Sequence, residues 1–214
     1  MVAPTAFHEI VHETPAARRR SVDDWGRDSR LIRLLTPVAS LRWDVHVIGS
    51  EHVRRGGALI VVNTRSLALT PVLVAWALSE AIDRPVRFVG RPDTVPFGPL
   101  LQRVGGLLAH PAEVAGALRA GEVVLLGAAA TRRSRQAGSV DPALLAAAIR
   151  EQVPVHVAAS TSTMIGRQVR VDVAPPMRMS RKRRGPLAEV ELAEQAQHRL
   201  QAILDSSTGA EGAR

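Results

Sequence analysis

Cysteine is absent from all 214 residues, so no disulfide holds the fold and cysteine usage gives no hint of an oxidising compartment. Aromatic residues make up only 3% of the chain, too few to interleave with basic residues as a single-strand nucleic-acid surface requires. Lysine occurs once, at Lys182. Basic charge is therefore carried by arginine, and with abundant alanine and valine this composition points to a GC-rich bacterial genome rather than to a mechanism. The longest largely apolar stretch, Leu67 to Leu78, falls short of the ~20 residues that a bilayer-spanning helix needs. Met1 to Thr14 contains His8, Glu9, His12 and Glu13 without an apolar core, which is not the pattern of a signal peptide. The expected location is the cytoplasm, or the periphery of the inner membrane. Gly-x-Gly-x-x-Gly, Walker and Gly-x-Ser-x-Gly patterns are all missing, so nucleotide binding and α/β-hydrolase chemistry lack sequence support. The seven histidines show no metal-ligand spacing, and no metal is expected.

What is present is a 46% hydrophobic chain, long enough for one domain with a sizeable core. Apolar, β-branched runs predict strands near Trp43 to Ile48, Ala58 to Asn63, Val86 to Val89, Leu107 to Leu108, Val123 to Leu126, Val155 to Ala159 and Val169 to Val173. Helices are expected near Pro71 to Ile82, Phe97 to Val104, Ala112 to Ala120 and Pro142 to Gln152. Strands alternating with helices imply an α/β fold, a mostly parallel or mixed sheet of about seven strands covered on both faces. Before the sheet, Asp23 or Asp24 is the expected cap of a helix carrying Leu31, Leu34, Leu35 and Val38, which Pro37 should end or kink. Arg27, Arg30, Arg33 and Arg42 flank that stripe, which either rests on a bilayer or packs on the sheet. After it, Pro186 to Leu204 reads as a last helix with Leu187, Val190, Ala193, Leu200 and Ile203 inward. Residues 1–20 are expected to be disordered, 21–205 to form the domain, and 206–214 to be a polar tail.

Net charge is +8, and its distribution matters more than its size. Arg18, Arg19 and Arg20, with Arg181, Lys182, Arg183 and Arg184, carry seven positive charges in two short runs, leaving the body nearly neutral. A duplex-binding protein presents a broad basic face instead, so nucleic acid is not the expected partner. Short basic clusters suit anionic lipid headgroups, or are simply solvated linkers.

The richest segment runs Ala58-Leu59-Ile60-Val61-Val62-Asn63-Thr64-Arg65-Ser66-Leu67-Ala68-Leu69-Thr70-Pro71: a strand, a polar loop and a helix opened by proline. It resembles the first block of the glycerophospholipid acyltransferases, the lysophosphatidate acyltransferase (PlsC-like) family, whose usual text is Val-Asn-His-Arg-Ser, two or so apolar residues, then Asp-Pro. Further blocks follow in order from about Trp43 to about Met177. Val95-Pro96-Phe97-Gly98-Pro99 with Val104-Gly105-Gly106-Leu107-Leu108-Ala109-His110-Pro111 is similar to the second, which ends Asp-Arg in the family. Gly127-Ala128-Ala129-Ala130-Thr131-Arg132-Arg133-Ser134 matches Phe-Pro-Glu-Gly-Thr-Arg-Ser, and Val153-Pro154-Val155-His156-Val157-Ala158 matches Val-Pro-Val-Val-Pro-Val.

The departures fall on the chemistry. The family's histidine is Thr64, its aspartate is Leu69, its glutamate is Ala129, and His110-Pro111 replaces Asp-Arg. Acyl transfer to a hydroxyl needs a base with a pKa near neutrality, and a carboxylate to orient it. A threonine hydroxyl is not a base at pH 7, and loss of a positioned base typically costs roughly 10² to 10⁴ in rate. The resemblance therefore implies the acyltransferase fold with catalysis lost or strongly reduced, and a protein that binds a lipid, acyl-CoA or an enzyme partner. The alternatives are an active acyl-CoA-dependent acyltransferase with an altered motif, acting on a lysophospholipid or glycerol 3-phosphate type acceptor, and an anion-binding interaction module. Acyl-CoA or an acyl carrier enters only as co-substrate or ligand, and no resident cofactor is expected. His110 and His156 border the family's active-site blocks and are the candidates for a relocated base. Arg65, Ser66, Thr131 and Arg132 are the candidate substrate-binding residues, since guanidinium groups take phosphate bidentately and hydroxyls donate to it.

Overall fold

The computed structural model describes residues 21–64, 70–92, 97–131, 136–162, 167–178 and 185–211. Its centre is a seven-stranded sheet: β1 (Asp44–Ile48), β2 (Ala58–Val62), β3 (Val86–Val89), β4 (Gly106–Leu107), β5 (Val123–Gly127), β6 (Val155–Ser162) and β7 (Gln168–Val173). They lie in the order β1-β7-β6-β2-β5-β3-β4. Strands β6, β2, β5, β3 and β4 run parallel, whereas β7 pairs antiparallel with β6 and carries β1 beside it in parallel. The expected mixed α/β sheet is what forms.

Burial explains why the central strands lack alternation. All five residues of β2 and all four of β3 are buried, as strands covered on both faces must be. One cluster, with Leu59, Val61, Val124, Leu126, Val155 and Val157, packs under α4 (Pro111–Arg119), α5 (Pro142–Glu151) and α6 (Pro186–Glu211). The opposite cluster, with Ile60, Val62, Leu125 and Phe88, packs under α2 (Thr70–Ile82), joined by Leu101 of α3 (Phe97–Arg103). Fully burying one such aliphatic side chain is worth about 1.5–3 kcal/mol, so these two layers carry most of the driving force.

Several helix boundaries depart from the sequence expectation for local reasons. Helix α1 (Ser29–Arg42) is capped by Asp28, whose side chain accepts from Arg30 N and Leu31 N. Asp23 instead accepts from Trp25 N and Arg27 N, closing a turn of its own. Pro37 does not end the helix, which continues to Arg42; the carbonyl it leaves unpaired belongs to exposed Arg33, where water can take it. Helix α1 buries no residue, and Leu34, Val38 and Leu41 are 72%, 65% and 74% exposed. Its apolar stripe thus faces outward rather than packing on the sheet. The last helix continues through 206–211, which composition marked as tail. It turns Leu192, Ala193, Ala196, Leu200 and Leu204 inward, so Leu187 and Val190 are exposed, contrary to expectation. The inward set recurs every four residues, the helical period, and outvotes the two leading apolar residues.

Candidate functional site

Parallel strands with helices on both faces place reactive loops at the carboxyl ends of the strands, and the polar residues after β2 and β5 lie there. The all-apolar run of β2 ends at Asn63, which is 3% exposed. Its side chain donates to Ser160 O at 2.9 Å and accepts from Ser160 N at 2.7 Å. This paired bridge locks the end of β2 to β6 and satisfies backbone groups that burial would otherwise leave unpaired. Sequence reading gave Asn63 no role beyond the end of a predicted strand; the signal was an amide-bearing residue following five consecutive apolar ones.

Thr64 comes next. Its hydroxyl donates to Ala128 O, and its carbonyl accepts from Thr131 N at 3.4 Å. The first and third motif blocks therefore meet backbone to backbone, with Ala128 N also donating to Val62 O at 2.8 Å. The Thr131 hydroxyl donates to Gln136 O at 3.0 Å. Gly127 is needed at this crossing, since a Cβ there would lie 2.7 Å from Thr64 Cγ2 and 3.4 Å from Pro71 Cγ. The same proximity brings the start of α2 to the site. Behind it Ala129 N donates to Ser139 O at 2.7 Å, and the chain can pass so closely because a side chain at Gly138 would collide with the Ala129 carbonyl. On the α5–α6 side a cleft of about 540 Å³ opens beside Gly127 and Ala129, floored by Leu126, Val140, Leu144 and Ala193.

The two candidate relocated bases are not beside Thr64. His110 follows β4, three strands away from β2 across the sheet, or about 14 Å. It is exposed and serves as the cap of α4, its Nδ1 accepting from Ala112 N at 3.3 Å. His156 pairs with Ile60 in register, about 13 Å short of Thr64 along the strand direction. It is fully buried, with Nδ1 at 3.1 Å from Ala174 O and Nε2 without a partner. Burial pushes its pKa below the ordinary value of 6.5, the Ala174 carbonyl opposing and His52 and Arg199 adding to the fall. Each histidine has a structural contact of its own, and neither lies beside Thr64.

The remaining expected site residues, Arg65, Ser66, Leu69 and Arg132, lie outside the described residues, as do Arg18, Arg19, Arg20, Arg181, Lys182, Arg183 and Arg184. Among the described residues no cluster of three or more His, Asp or Glu side chains suits a metal ion, and no helix is long and apolar enough to cross a membrane.

No protein-family model and no curated protein sequence matches the chain. Among solved structures it is similar to the 1-acyl-sn-glycerophosphate (LPA) acyltransferase PlsC from Thermotoga maritima, with a TM-score of 0.61 and 14% identity. The match spans 84% of this chain and 79% of that one. With the strand order and the meeting of the Thr64 and Thr131 blocks, this likeness gives the chain the fold of a PlsC-type acyltransferase.

Proposed function

We propose that the chain is a phospholipid or glycerol acyltransferase-like protein whose catalysis is lost or strongly reduced, and which binds a lipid, acyl-CoA or an enzyme partner. One observation carries the reading. Where the resembling enzymes place a histidine base, Thr64 stands with its hydroxyl donating to Ala128 O, and His110 and His156 lie elsewhere in the fold. Leu69 supplies no carboxylate to orient a base. The cleft beside Ala129 is the space available there for a ligand, with Leu126, Val140, Leu144 and Ala193 as its apolar lining and Asp141, Glu194 and Gln197 as its polar lining.

The expected outcome is no acyl transfer from acyl-CoA to lysophosphatidate or glycerol 3-phosphate above background, followed as release of free CoA thiol. Thiol release that needs both substrates and disappears in Thr64→Ala or His110→Ala would replace this reading with that of an active enzyme using altered chemistry.

Docking at a membrane periphery is the second part of the proposal. The outward stripe of α1 (Leu34, Leu35, Val38, Leu41) is flanked by exposed Arg30, Arg33 and Arg42, an amphipathic basic helix of the kind that lies in a bilayer interface. Arg18 to Arg20 and Arg181 to Arg184 would add roughly 1 kcal/mol each near an anionic surface. Co-sedimentation should be stronger with phosphatidylglycerol vesicles than with neutral ones and should weaken as salt rises; equal binding to both would remove the electrostatic part.

A further inference from the structure

Ten large hydrophobic side chains are exposed among the described residues, and six of them lie on two helices: Leu34, Leu35, Val38 and Leu41 on α1, and Phe97 and Leu100 on α3. Phe97 and Leu100 are 63% and 51% exposed, one helical turn apart, while Leu101 of the same helix packs inward on the core. An apolar concentration of this kind marks an interaction surface.

Topology brings the two helices to one face and one end of the sheet. Both lie on the α2 side: Leu101 joins the core cluster under α2, and Trp76 Nε1 of α2 donates to Thr36 Oγ1 of α1 at 3.3 Å. At their far ends they are joined, Asp28 N donating to Arg103 O at 2.8 Å and the Arg103 guanidinium pairing with the Asp28 carboxylate at 2.7 Å. From that junction α1 runs to Trp43 and Asp44, and Asp44 pairs with Gln168 at the start of β7. Because β7 is antiparallel to β6, this is the carboxyl end of β6 and β2, where Thr64 lies. Helix α3 connects the parallel strands β3 and β4, so it runs back against them and its first residue, Phe97, also lies toward that end. The apolar ends of both helices therefore flank the end of the sheet that carries Thr64 and Thr131.

We infer that Phe97 and Leu100 form a second lipid anchor, which together with α1 turns the Thr64 end of the sheet toward an anionic bilayer surface. The inference rests on the peripheral docking of α1 and adds what a single helix cannot supply. One interfacial helix leaves the attached body free to roll about the helix axis, whereas two separated contacts fix its orientation. Charge selects the occupant: α1 carries Arg30, Arg33 and Arg42 and no carboxylate, and α3 adds no carboxylate, its Arg103 being already paired with Asp28, so the surface complements anionic headgroups.

The absence of cysteine allows a clean test. Phe97→Cys, Leu41→Cys and Ala120→Cys are each labelled with an environment-sensitive fluorophore and mixed with phosphatidylglycerol vesicles. Ala120 is the control, being exposed at the end of α4 just before β5, at the end of the sheet away from Thr64. The label should shift to shorter wavelength at 97 and 41 and stay unchanged at 120. A shift at 41 alone overturns the α3 anchor while leaving α1 docking in place. No shift at 41 or 97 overturns both, and the same shift at all three positions overturns the defined orientation. The unlabelled double variant Phe97→Ser, Leu100→Ser should bind these vesicles roughly tenfold more weakly. Unchanged binding, or equal loss of solution self-association without vesicles, would reject the lipid as the occupant of this surface.

Discussion

The two ends of the sheet are held by different kinds of polar group. At the amino end of β3 and β5, Arg87 is fully buried on the sheet, its Nη2 within 2.7 Å of Asp23 and 3.2 Å of Glu122. Its guanidinium lies 5.8 Å from the Trp25 ring. Arg84 donates to three carbonyls there, those of Arg54, Gly56 and Gly121. Around Thr64, at the other end of β2 and β5, the described contacts are neutral hydrogen bonds to backbone. Ionic groups thus close one end of the sheet, whereas the described contacts at the Thr64 end need no ionised side chain. Asn63 and the backbone, rather than ionised side chains, hold the described loops at the Thr64 end together.

Three measurements sharpen or break that contrast. The largest effect is expected at the ionic end. Arg87→Met leaves two carboxylates without their cation, and unfolding in urea should show a loss of about 3 kcal/mol. Unchanged stability would mean that the buried ion cluster holds nothing, the Nε and Nη1 atoms already lacking partners. At the site end Asn63→Ala strands the Ser160 amide and carbonyl, for an expected loss of about 2 kcal/mol. A loss larger than that of Arg87→Met would reverse the comparison.

The smallest effect is pH-dependent. His156 is held below its ordinary value of 6.5 chiefly by burial, so the unfolded chain takes up its proton at a higher pH than the folded one. Its contribution is complete above 6.5 and is lost as pH falls from there through the folded value. The urea midpoint should drop between about pH 8 and pH 5.5, and drop less in His156→Gln. An equal drop in both proteins would place the acid sensitivity elsewhere. Asp28 acts at lower pH: the Arg103 hydrogen bond, helped by Leu31 N and Arg30 N against burial, lowers its pKa.

Much of this was legible in the chain because the central strands are fully buried and hence unbroken apolar runs. Proline or glycine marked where they stopped: Pro71, Pro111 and Pro142 stand at or next to the first residue of α2, α4 and α5. The order of the motif blocks pointed to Thr64 and Thr131, whose backbones meet. What escaped was set by distant partners. Arg87 sits in an apolar strand, and nothing in its sequence neighbours announces that Asp23, Glu122 and Trp25 fold over it. For His110 and His156, sequence proximity to a motif block does not say which end of a strand a residue occupies, or whether its nitrogen caps a helix.

By itself, then, the sequence determined the alternation of strand and helix, the burial of both sheet faces, the identity of the loops that meet, and the presence at Thr64 and Leu69 of two side chains that are not bases at pH 7. Those properties are local: they follow from apolar period, chain-breaking residues and the acid–base chemistry of single side chains. Tertiary structure alone decided that β7 and β1 reverse direction, that the α1 stripe and Phe97 face outward on one side, and that Thr64 spends its hydroxyl on Ala128 O. Each depends on contacts between residues far apart in the chain, and neither period nor propensity encodes which of two apolar faces meets another surface and which is left bare.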